Sequence, residues 1–295
     1  MGSSPQPVLF DDFALTPVRL PPAGQLLKWI GNKQRSAATI AALLPTEYKR
    51  YVEPFVGGGA VLGAMNPHSG LAGDVLLPLV EIWWAVQQDP TALANHYRGL
   101  WDQYITNRQE VYETALARYN ERPNGMDLFF LCRTCYGGVV RFTKAGKMST
   151  PLGPHLAVPP MRIEERLREW RERVRGTDFR HATFEETMAE AGRDDVVYCD
   201  PPYVYAQAIL YGAQDFGLQR LWKAIDAAAM RGAKVALSID GTKKSGRMNL
   251  HLNVPPGLFR RDLLVPMGGS MLKRFQRRHS HVQDEAVVDR LLLTW

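Results

Sequence analysis

Four residues that could do chemistry together, Asp200, Pro201, Pro202 and Tyr203, follow an apolar run at 196–198 that predicts the end of a buried strand. Two prolines end a strand because they lack backbone donors and fix φ. Asp, Pro and Tyr are also ordinary turn residues. Alternatively, the carboxylate and a proline carbonyl can accept the two N–H groups of an aromatic amine while the tyrosine stacks on its ring. Such an amine is a poor nucleophile until its lone pair is freed from the ring, which positioned acceptors can achieve.

A glycine cluster forms the second candidate site, in the stretch EPFVGGGAV. Gly57, Gly58 and Gly59 lie between a predicted strand and a predicted helix, where glycine lets the backbone approach a ligand closely. The dinucleotide-binding fingerprint G-x-G-x-x-G, counted from Gly57, requires its third glycine at position 62. That position is Leu62, and the next glycine is Gly63. Asp74 follows the next predicted strand, at a position suited to ribose hydroxyls. Adenosine without pyrophosphate is thereby indicated, and S-adenosyl-L-methionine is the expected cofactor.

These residues require an α/β sheet to bring them together. The first ninety residues alternate helix, strand, glycine loop, helix, strand, Asp74 and helix, a pattern typical of α/β proteins. Strand and helix resume around the Asp-Pro-Pro-Tyr run, and RLLLTW predicts a closing strand. Between the two parts, the sequence is helical, aromatic and then basic. We expect an N-terminal extension at 1–25, a catalytic domain at 26–92 and 179–295, and a mostly helical insertion at 93–178.

Charge and composition indicate the class of partner. The chain has 295 residues, 45% hydrophobic and 22% charged, which is typical of a globular protein. Its net charge is +6, and residues 231–295 contain 12 Lys/Arg against 5 Asp/Glu. Residues 133–147 add four basic residues and no acid. Such patches suit nucleic acid, although a solvated basic face is the alternative.

Neither a membrane segment nor a disulfide framework is expected. No apolar run approaches the ~20 residues of a membrane helix, and the start of the chain lacks the layout of a signal peptide. We therefore expect a cytosolic protein. Cys132 and Cys135 form a lone C-x-x-C, which is better explained by buried thiols than by zinc. No metal is expected.

The order of these motifs resembles that of the Dam-like DNA adenine-N6 methyltransferases over roughly residues 26–295. LLKWIGNKQ resembles the opening motif of that family, EPFVGGGAV its glycine loop, and VYCDPPY its catalytic motif. FLCRTCYGGVVRFTKAGKMSTPLGPH resembles the segment that leads into target recognition, with Gly137 where the family usually has Asn. The resemblance implies a Rossmann-like methyltransferase mixed sheet flanked by helices, with a DNA-recognition insertion. It also implies a target base that is flipped out of double-stranded DNA, with direct in-line transfer to the N6 amine of adenine.

The resemblance assigns roles to individual residues. Catalysis would fall to Asp200, Pro201, Pro202 and Tyr203. The cofactor would be bound by Trp29, Lys33, Phe55, Gly57, Gly59, Asp74 and Asp200. DNA would be contacted by Arg133, Tyr136, Arg141, Lys144 and Lys147, together with the basic carboxyl-terminal third. A cognate restriction endonuclease that acts on the same site is a candidate partner, and an orphan modification enzyme is the alternative.

Four other functions compete with this hypothesis. An N4-cytosine methyltransferase usually has serine where Asp200 stands, and an rRNA guanine-N2 enzyme would not need a basic helical insertion of this size. A nicotinamide oxidoreductase is disfavoured by the incomplete glycine fingerprint. A DNA-binding protein that has lost catalysis is disfavoured by the intact residues 200–203. The DNA target sequence and the oligomeric state stay open, because base contacts depend on a few side chains.

Overall fold

An eight-stranded mixed sheet runs through the part of the chain that the structure describes. The computed structural model describes residues 8–9, 24–202, 217–240, 254–268 and 287–295. Within these ranges the strands are β1 Val8–Leu9, β2 Arg50–Glu53, β3 Gly70–Asp74, β4 Thr177–His181, β5 Asp195–Cys199, β6 Lys234–Asp240, β7 Arg261–Gly268 and β8 Val287–Leu293. The spatial order is β1-β7-β8-β6-β5-β2-β3-β4.

Five neighbouring strands, from β6 through β5, β2 and β3 to β4, are parallel. β8 is antiparallel to both β6 and β7, and inserts between them. The chain leaves β2 toward β3 on one side, and β5 lies on the other side, so a topological switch point lies between β2 and β5. Ligands of open α/β sheets bind at the carboxyl edge at such a point. The glycine loop and Asp200 follow these two strands and therefore meet there.

The nine helices of the described ranges cover both faces of the sheet. They are α1 Ala37–Leu43, α2 Ala60–Met65, α3 Leu77–Gln88, α4 Pro90–Tyr104, α5 Arg108–Glu121, α6 Gly125–Thr134, α7 Pro160–Val174, α8 Phe184–Ala189 and α9 Leu218–Met230. Alternate strand residues point to opposite faces. Tyr51 and Tyr198 enter the core with α1–α7, whereas Val52 and Val197 enter a second core with α8 and α9.

The insertion shares the larger core with the sheet. Trp170 on α7 packs against Trp83 on α3, with ring centroids 5.5 Å apart. Trp83 also stacks on Phe179 of β4, at 5.4 Å and an interplanar angle of 4°. Large aromatic pairs of this kind bury much apolar surface and fix the angle between the elements that carry them. Helix α7 of the insertion is thus packed against α3, which in turn packs on β4.

The predicted alternation is confirmed in its main features, including the positions of the glycine loop and Asp74. The elements that escaped prediction include β1, which lies within the expected N-terminal extension, β4, which begins at Thr177 within the interval assigned to the insertion, and β7. Helix α8 also escaped, although Thr183 and Glu186 form a capping box at its start, a pattern that sequence can reveal. Cys132 and Cys135 are buried free thiols, as predicted. Among the described residues, no helix is both long and apolar enough to cross a membrane.

Candidate active site

The glycine loop between β2 and α2 adopts a conformation that requires glycine. Gly57 and Gly59 have φ angles of 47° and 63°, in the left-handed region that other residues rarely occupy. A Cβ on Gly59 would lie 2.7 Å from the Trp83 ring. Trp83 also donates from Nε1 to the carbonyl of Gly57, at 3.1 Å. The core side of the loop is therefore held by Trp83. The other side of the loop backbone remains available to a ligand at the carboxyl edge of the sheet.

Trp29 lies directly beside this loop. It is 5% exposed, and its Cδ1 would be 3.2 Å from a Cβ on Gly57. Phe55, at the other end of the loop, stacks on Phe184 with centroids 5.2 Å apart. The structure thus brings three predicted cofactor residues, Trp29, Phe55 and Gly57, into one region.

Asp74 supports the same loop from the end of β3. Its carboxylate accepts from the N–H of Gly57 at 3.2 Å and from the N–H of Leu76 at 3.0 Å. Burial raises the pKa of Asp74 to about 6, while the two N–H donors act to lower it. A carboxylate so placed can accept from hydroxyl groups of a ligand seated over the loop.

Replacement of Asp74 by alanine should weaken binding of S-adenosyl-L-methionine by about 1–3 kcal/mol, the cost of losing charge-assisted hydrogen bonds. Isothermal titration calorimetry measures the affinity, and thermal unfolding shows whether the variant is folded. Asp178→Ala, which removes an exposed acid from β4, is the matched control. Unchanged affinity in a folded Asp74→Ala variant would exclude Asp74 from the cofactor site.

Asp200, which is half-buried, forms an ion-pair cluster with two buried side chains. The Nζ of Lys33 lies 2.8 Å from Oδ1 of Asp200 and 3.3 Å from Oδ2 of Asp289. Lys33 and Asp289 are each 3% exposed. Lys33 was predicted to bind the cofactor, and the structure places its ammonium group directly on the predicted catalytic carboxylate. Asp289 was missed, although an Asp-Arg pair that interrupts an apolar strand is a signal for it.

Glu53, the last residue of β2, is a second group that sequence analysis left without a role. It is buried, and Tyr51 donates from its hydroxyl to Oε2 at 2.7 Å. Burial raises the pKa of Glu53 to about 8. The Tyr51 hydroxyl lowers it, the Asp200 charge raises it further, and the Leu62 N–H lowers it. This carboxyl group thus lies under the glycine loop and couples electrostatically to Asp200.

The raised pKa of Glu53 makes stability depend on pH. The folded protein binds more protons than the unfolded chain between about pH 4.5 and pH 8. The protonated Glu53 therefore contributes to the free energy of unfolding in full below pH 4.5, and this contribution is lost as pH rises through 8. The free energy of unfolding should fall by up to about 1.4 kcal/mol for each unit that the pH rises within this range.

Glu53→Gln should flatten this part of the stability profile, because the amide does not titrate. Urea unfolding at a series of pH values measures it, with the exposed Glu47→Gln as the control. Identical profiles for the two variants would contradict the assignment.

The remaining residues of the Asp-Pro-Pro-Tyr motif are only partly described. Pro201 is buried and Pro202 half-buried. Tyr203 lies outside the described residues, so its role stays a prediction.

Gly137 has a φ of 65°, a conformation that glycine accepts without cost and that asparagine tolerates better than most residues. The departure from the family pattern at this position therefore suits the backbone.

The structure places Arg133, a predicted DNA contact, among buried groups, a position that does not favour that role. Arg133 is 5% exposed and donates from Nη1 to the carbonyls of Gln25 and Leu26, at 2.9 and 2.6 Å. Arg166 on α7 donates to the same Gln25 carbonyl at 2.9 Å. A guanidinium group committed to buried carbonyls cannot reach a phosphate without unpacking. Arg133 instead holds the segment that leads to Trp29 and Lys33.

The other predicted DNA contacts lie on an exposed surface. Residues 141–149, here the basic hairpin, turn back through a bond from the N–H of Thr143 to the carbonyl of Lys147, at 2.8 Å. Phe142 and Met148 pair across it and are buried. Arg141, Lys144 and Lys147 are exposed, and Tyr136, just before the hairpin, is 49% exposed.

Helix α5 holds the basic hairpin in place. The side-chain amide of Asn120 accepts from the N–H of Met148 at 2.7 Å and donates to its carbonyl at 2.9 Å. Tyr112 donates from its hydroxyl to the carbonyl of Thr150 at 2.6 Å. These bonds satisfy backbone groups that a hairpin edge would otherwise expose. The basic side chains are thus presented on a supported backbone.

A mixed sheet whose parallel strands carry a glycine loop at the switch point, with an Asp-Pro-Pro motif beside it, is typical of a Rossmann-like methyltransferase fold. Residues 29–244 match the D12 class N6 adenine-specific DNA methyltransferase family. The match covers most of the chain, and the chain belongs to this family. The family resemblance and the fold class predicted from sequence are both confirmed.

Several curated proteins are similar to this chain. The retron Ec67 DNA adenine methylase of Escherichia coli is 32% identical over 184 residues, 60% of this chain and 63% of that protein. A DNA adenine methylase of Vibrio cholerae is 33% identical over 181 residues, 60% of this chain and 64% of its own length. The type II methyltransferase M.MjaIII of Methanocaldococcus jannaschii is 28% identical over 239 residues, 72% and 82% of the two chains. The chain thus spans somewhat under two thirds of the first two relatives.

Proposed function

We propose that this protein transfers a methyl group from S-adenosyl-L-methionine to the N6 amine of adenine in double-stranded DNA. The observation that carries the proposal is the position of Asp200. It follows β5 at the carboxyl edge, beside the glycine loop after β2, with Lys33 at 2.8 Å. An acceptor for an amine and a candidate cofactor loop are therefore adjacent. The names of the curated relatives point to the same activity.

The residues at the carboxyl edge suit this cofactor. The backbone at Gly57 and Gly59 has no side chains that would block a ligand, Trp29 offers an apolar wall, and Asp74 offers a carboxylate for ribose hydroxyls. When bound, S-adenosyl-L-methionine supplies an electrophilic methyl group on a sulfonium centre. Because no pyrophosphate needs to be accommodated, the incomplete glycine fingerprint is no obstacle.

Asp200 and Pro201 would act on the adenine amine. The Asp200 carboxylate accepts one N–H and the Pro201 carbonyl accepts the other, so that the nitrogen lone pair is directed out of the ring and toward the methyl donor. These acceptors also stabilise the positive charge that develops on the nitrogen. No covalent bond to the enzyme is needed. The N–CH3 bond would form in line as the S–CH3 bond breaks, so that S-adenosyl-L-homocysteine leaves, and the proton that the methylated nitrogen loses would pass along its hydrogen bond to the Asp200 carboxylate.

The target base must leave the duplex to reach Asp200. We propose base flipping, with Tyr203 as the stacking face for the extruded adenine. The basic hairpin would contact the flanking DNA, with Arg141, Lys144 and Lys147 available for phosphates and Tyr136 for stacking. These contacts would determine the register of the enzyme on the duplex.

Tritiated methyl transfer to duplex DNA, followed by digestion to nucleosides, tests the proposed reaction. N6-methyladenine is the expected product. N4-methylcytosine, or methylation of rRNA instead of DNA, would replace the proposal with one of the rival activities. In a separate experiment, long-read sequencing of DNA from cells that express the protein would identify the modified base and its target sequence together.

The biological setting is proposed from the relatives alone. They include a type II methyltransferase and DNA adenine methylases. We propose a restriction endonuclease that acts on the same site as a partner, with an orphan modification enzyme as the alternative. One relative is a DNA N-6-adenine-methyltransferase of Escherichia phage P1. We propose a cytoplasmic enzyme of a prokaryote or a phage.

A further inference from the structure

The two arms that lead into the basic hairpin differ in length. Antiparallel bridges join Phe142 to Met148 and Cys135 to Leu152. These bridges are seven residues apart on the first arm but only four apart on the second. The first arm accommodates the excess in the 3₁₀ turn Tyr136–Gly138, which acts as a bulge between the two bridges. A stretch of irregular backbone therefore lies directly before the basic side chains.

The hydroxyl group of Thr150 closes this irregular stretch. It accepts from the N–H of Arg141 at 2.9 Å and donates to the carbonyl of Val139 at 2.7 Å. Thr150 is 2% exposed, and its own carbonyl accepts from the hydroxyl of Tyr112 on α5 at 2.6 Å. A hydroxyl group has one donor and can accept as well, so a single buried side chain bonds two backbone groups of the opposite arm.

These bonds fix the backbone from which the Arg141 side chain projects. The N–H of Arg141 donates to the Thr150 hydroxyl, and its carbonyl accepts from the N–H of Ser149 at 2.9 Å. The side chain of Arg141 is exposed. Because the direction of a side chain follows from the orientation of its backbone, the Thr150 hydroxyl helps to determine where the guanidinium group of Arg141 is presented.

We propose that Thr150 is a positioning residue for DNA binding that acts through Arg141. This inference rests on the proposed function, in which Arg141 contacts a phosphate of the flanking DNA. A guanidinium group held in place can meet a phosphate with two parallel hydrogen bonds, whereas one on a loose backbone must first be ordered at a cost in affinity. Without the hydroxyl group, two backbone groups at the base of the hairpin lose this partner, and the backbone of Arg141 rearranges.

Two substitutions at position 150 separate the hydroxyl group from the size of the side chain. Thr150→Val should weaken duplex binding by about tenfold, because it removes the partner of two backbone groups. It should also lower the slope of log K against log[salt] by about 0.9, the value for one lost phosphate contact. Thr150→Ser, which keeps the hydroxyl group, should stay within about twofold of the unaltered protein.

Fluorescence anisotropy with a labelled duplex over a range of salt concentrations measures both quantities. Equal losses of affinity in the valine and serine variants would overturn the proposal. So would an unchanged salt slope in Thr150→Val, because a merely structural defect reduces the amount of competent protein and leaves the number of phosphate contacts as it was.

Thr187→Val is the matched control. Thr187 is also 2% exposed, and its hydroxyl donates to the carbonyl of Thr183 at 3.0 Å at the start of α8. The variant should leave duplex affinity and the salt slope unchanged. Thermal unfolding compares the stability of the two valine variants. A loss of duplex affinity in Thr187→Val equal to that in Thr150→Val would contradict the proposal, since lower stability alone would then explain both.

A double-mutant cycle tests whether Thr150 acts through Arg141. Arg141→Ala alone should lower the affinity and the salt slope, and the further change Thr150→Val should then cost less than about twofold. A full additional loss in the double variant would overturn the proposal. If Thr150→Val does not fold, Tyr112→Phe takes its place in the cycle, because it removes the bond to the Thr150 carbonyl. A loss of about threefold is expected there, and unchanged affinity would overturn the proposal.

This proposal and the proposed function fail in different ways. Absence of N6-methyladenine from reactions of the unaltered protein would refute the proposed reaction, whereas the binding measurements need no methyl transfer and would still decide the role of Thr150. Full duplex affinity in Arg141→Ala would refute the role of Thr150 even if N6-methyladenine is formed.

Discussion

Asp200→Ala should lower the rate of methyl transfer to duplex DNA by roughly 10²-fold or more. Each tenfold loss corresponds to about 1.4 kcal/mol of transition-state stabilisation, and removal of a preorganised electrostatic partner commonly costs twice that or more. The variant loses the proposed acceptor for the amine and also the carboxylate that lies 2.8 Å from the Lys33 ammonium. Asp200→Asn should retain part of the activity, because its amide oxygen can still accept one N–H.

Single-turnover transfer of a tritiated methyl group, with product nucleosides identified after digestion, measures this effect. Asp262→Asn is the control for loss of a buried carboxylate, and cofactor affinity is measured for each variant. Full activity in a folded Asp200→Ala variant would refute the proposed mechanism. The Asp-Pro-Pro run would then be an ordinary turn.

The second large effect is expected for the basic hairpin. Charge reversal in the double variant Lys144→Glu/Lys147→Glu should reduce duplex affinity at low salt by about 10²-fold. It should also flatten the dependence of affinity on salt, because each lost phosphate contact lowers the slope of log K against log[salt] by about 0.9. Both side chains are exposed on a hairpin that α5 fixes in place, so the fold should be unaffected.

Lys49→Glu/Lys234→Glu provides a control with the same change of charge. Lys49 precedes β2 and Lys234 begins β6, so both exposed lysines lie at the amino edge of the sheet, opposite the candidate site. Fluorescence anisotropy with a labelled duplex over a range of salt concentrations compares the pairs. Equal losses in both would mean that only net charge matters, and the hairpin would no longer be a specific contact surface.

The sequence signals that point to the candidate site are short and contiguous. Gly57 and Gly59 can take positive φ, Asp74 follows a strand, and two prolines after Asp200 end another strand; each property belongs to a local stretch of chain. The alternation of strands and helices placed these stretches at one edge of a sheet, because parallel strands share their carboxyl end. The family and the fold class followed from the order of these motifs.

Tertiary structure alone decided which charges meet. Asp289 is 89 residues beyond Asp200 in sequence, and only the antiparallel insertion of β8 brings it to Lys33. Arg133 was assigned to DNA because its stretch of sequence resembles the recognition segment of the family, yet its side chain lies against the carbonyls of Gln25 and Leu26. Burial and long-range pairing depend on how distant elements pack, and a local pattern of residue types does not contain that information.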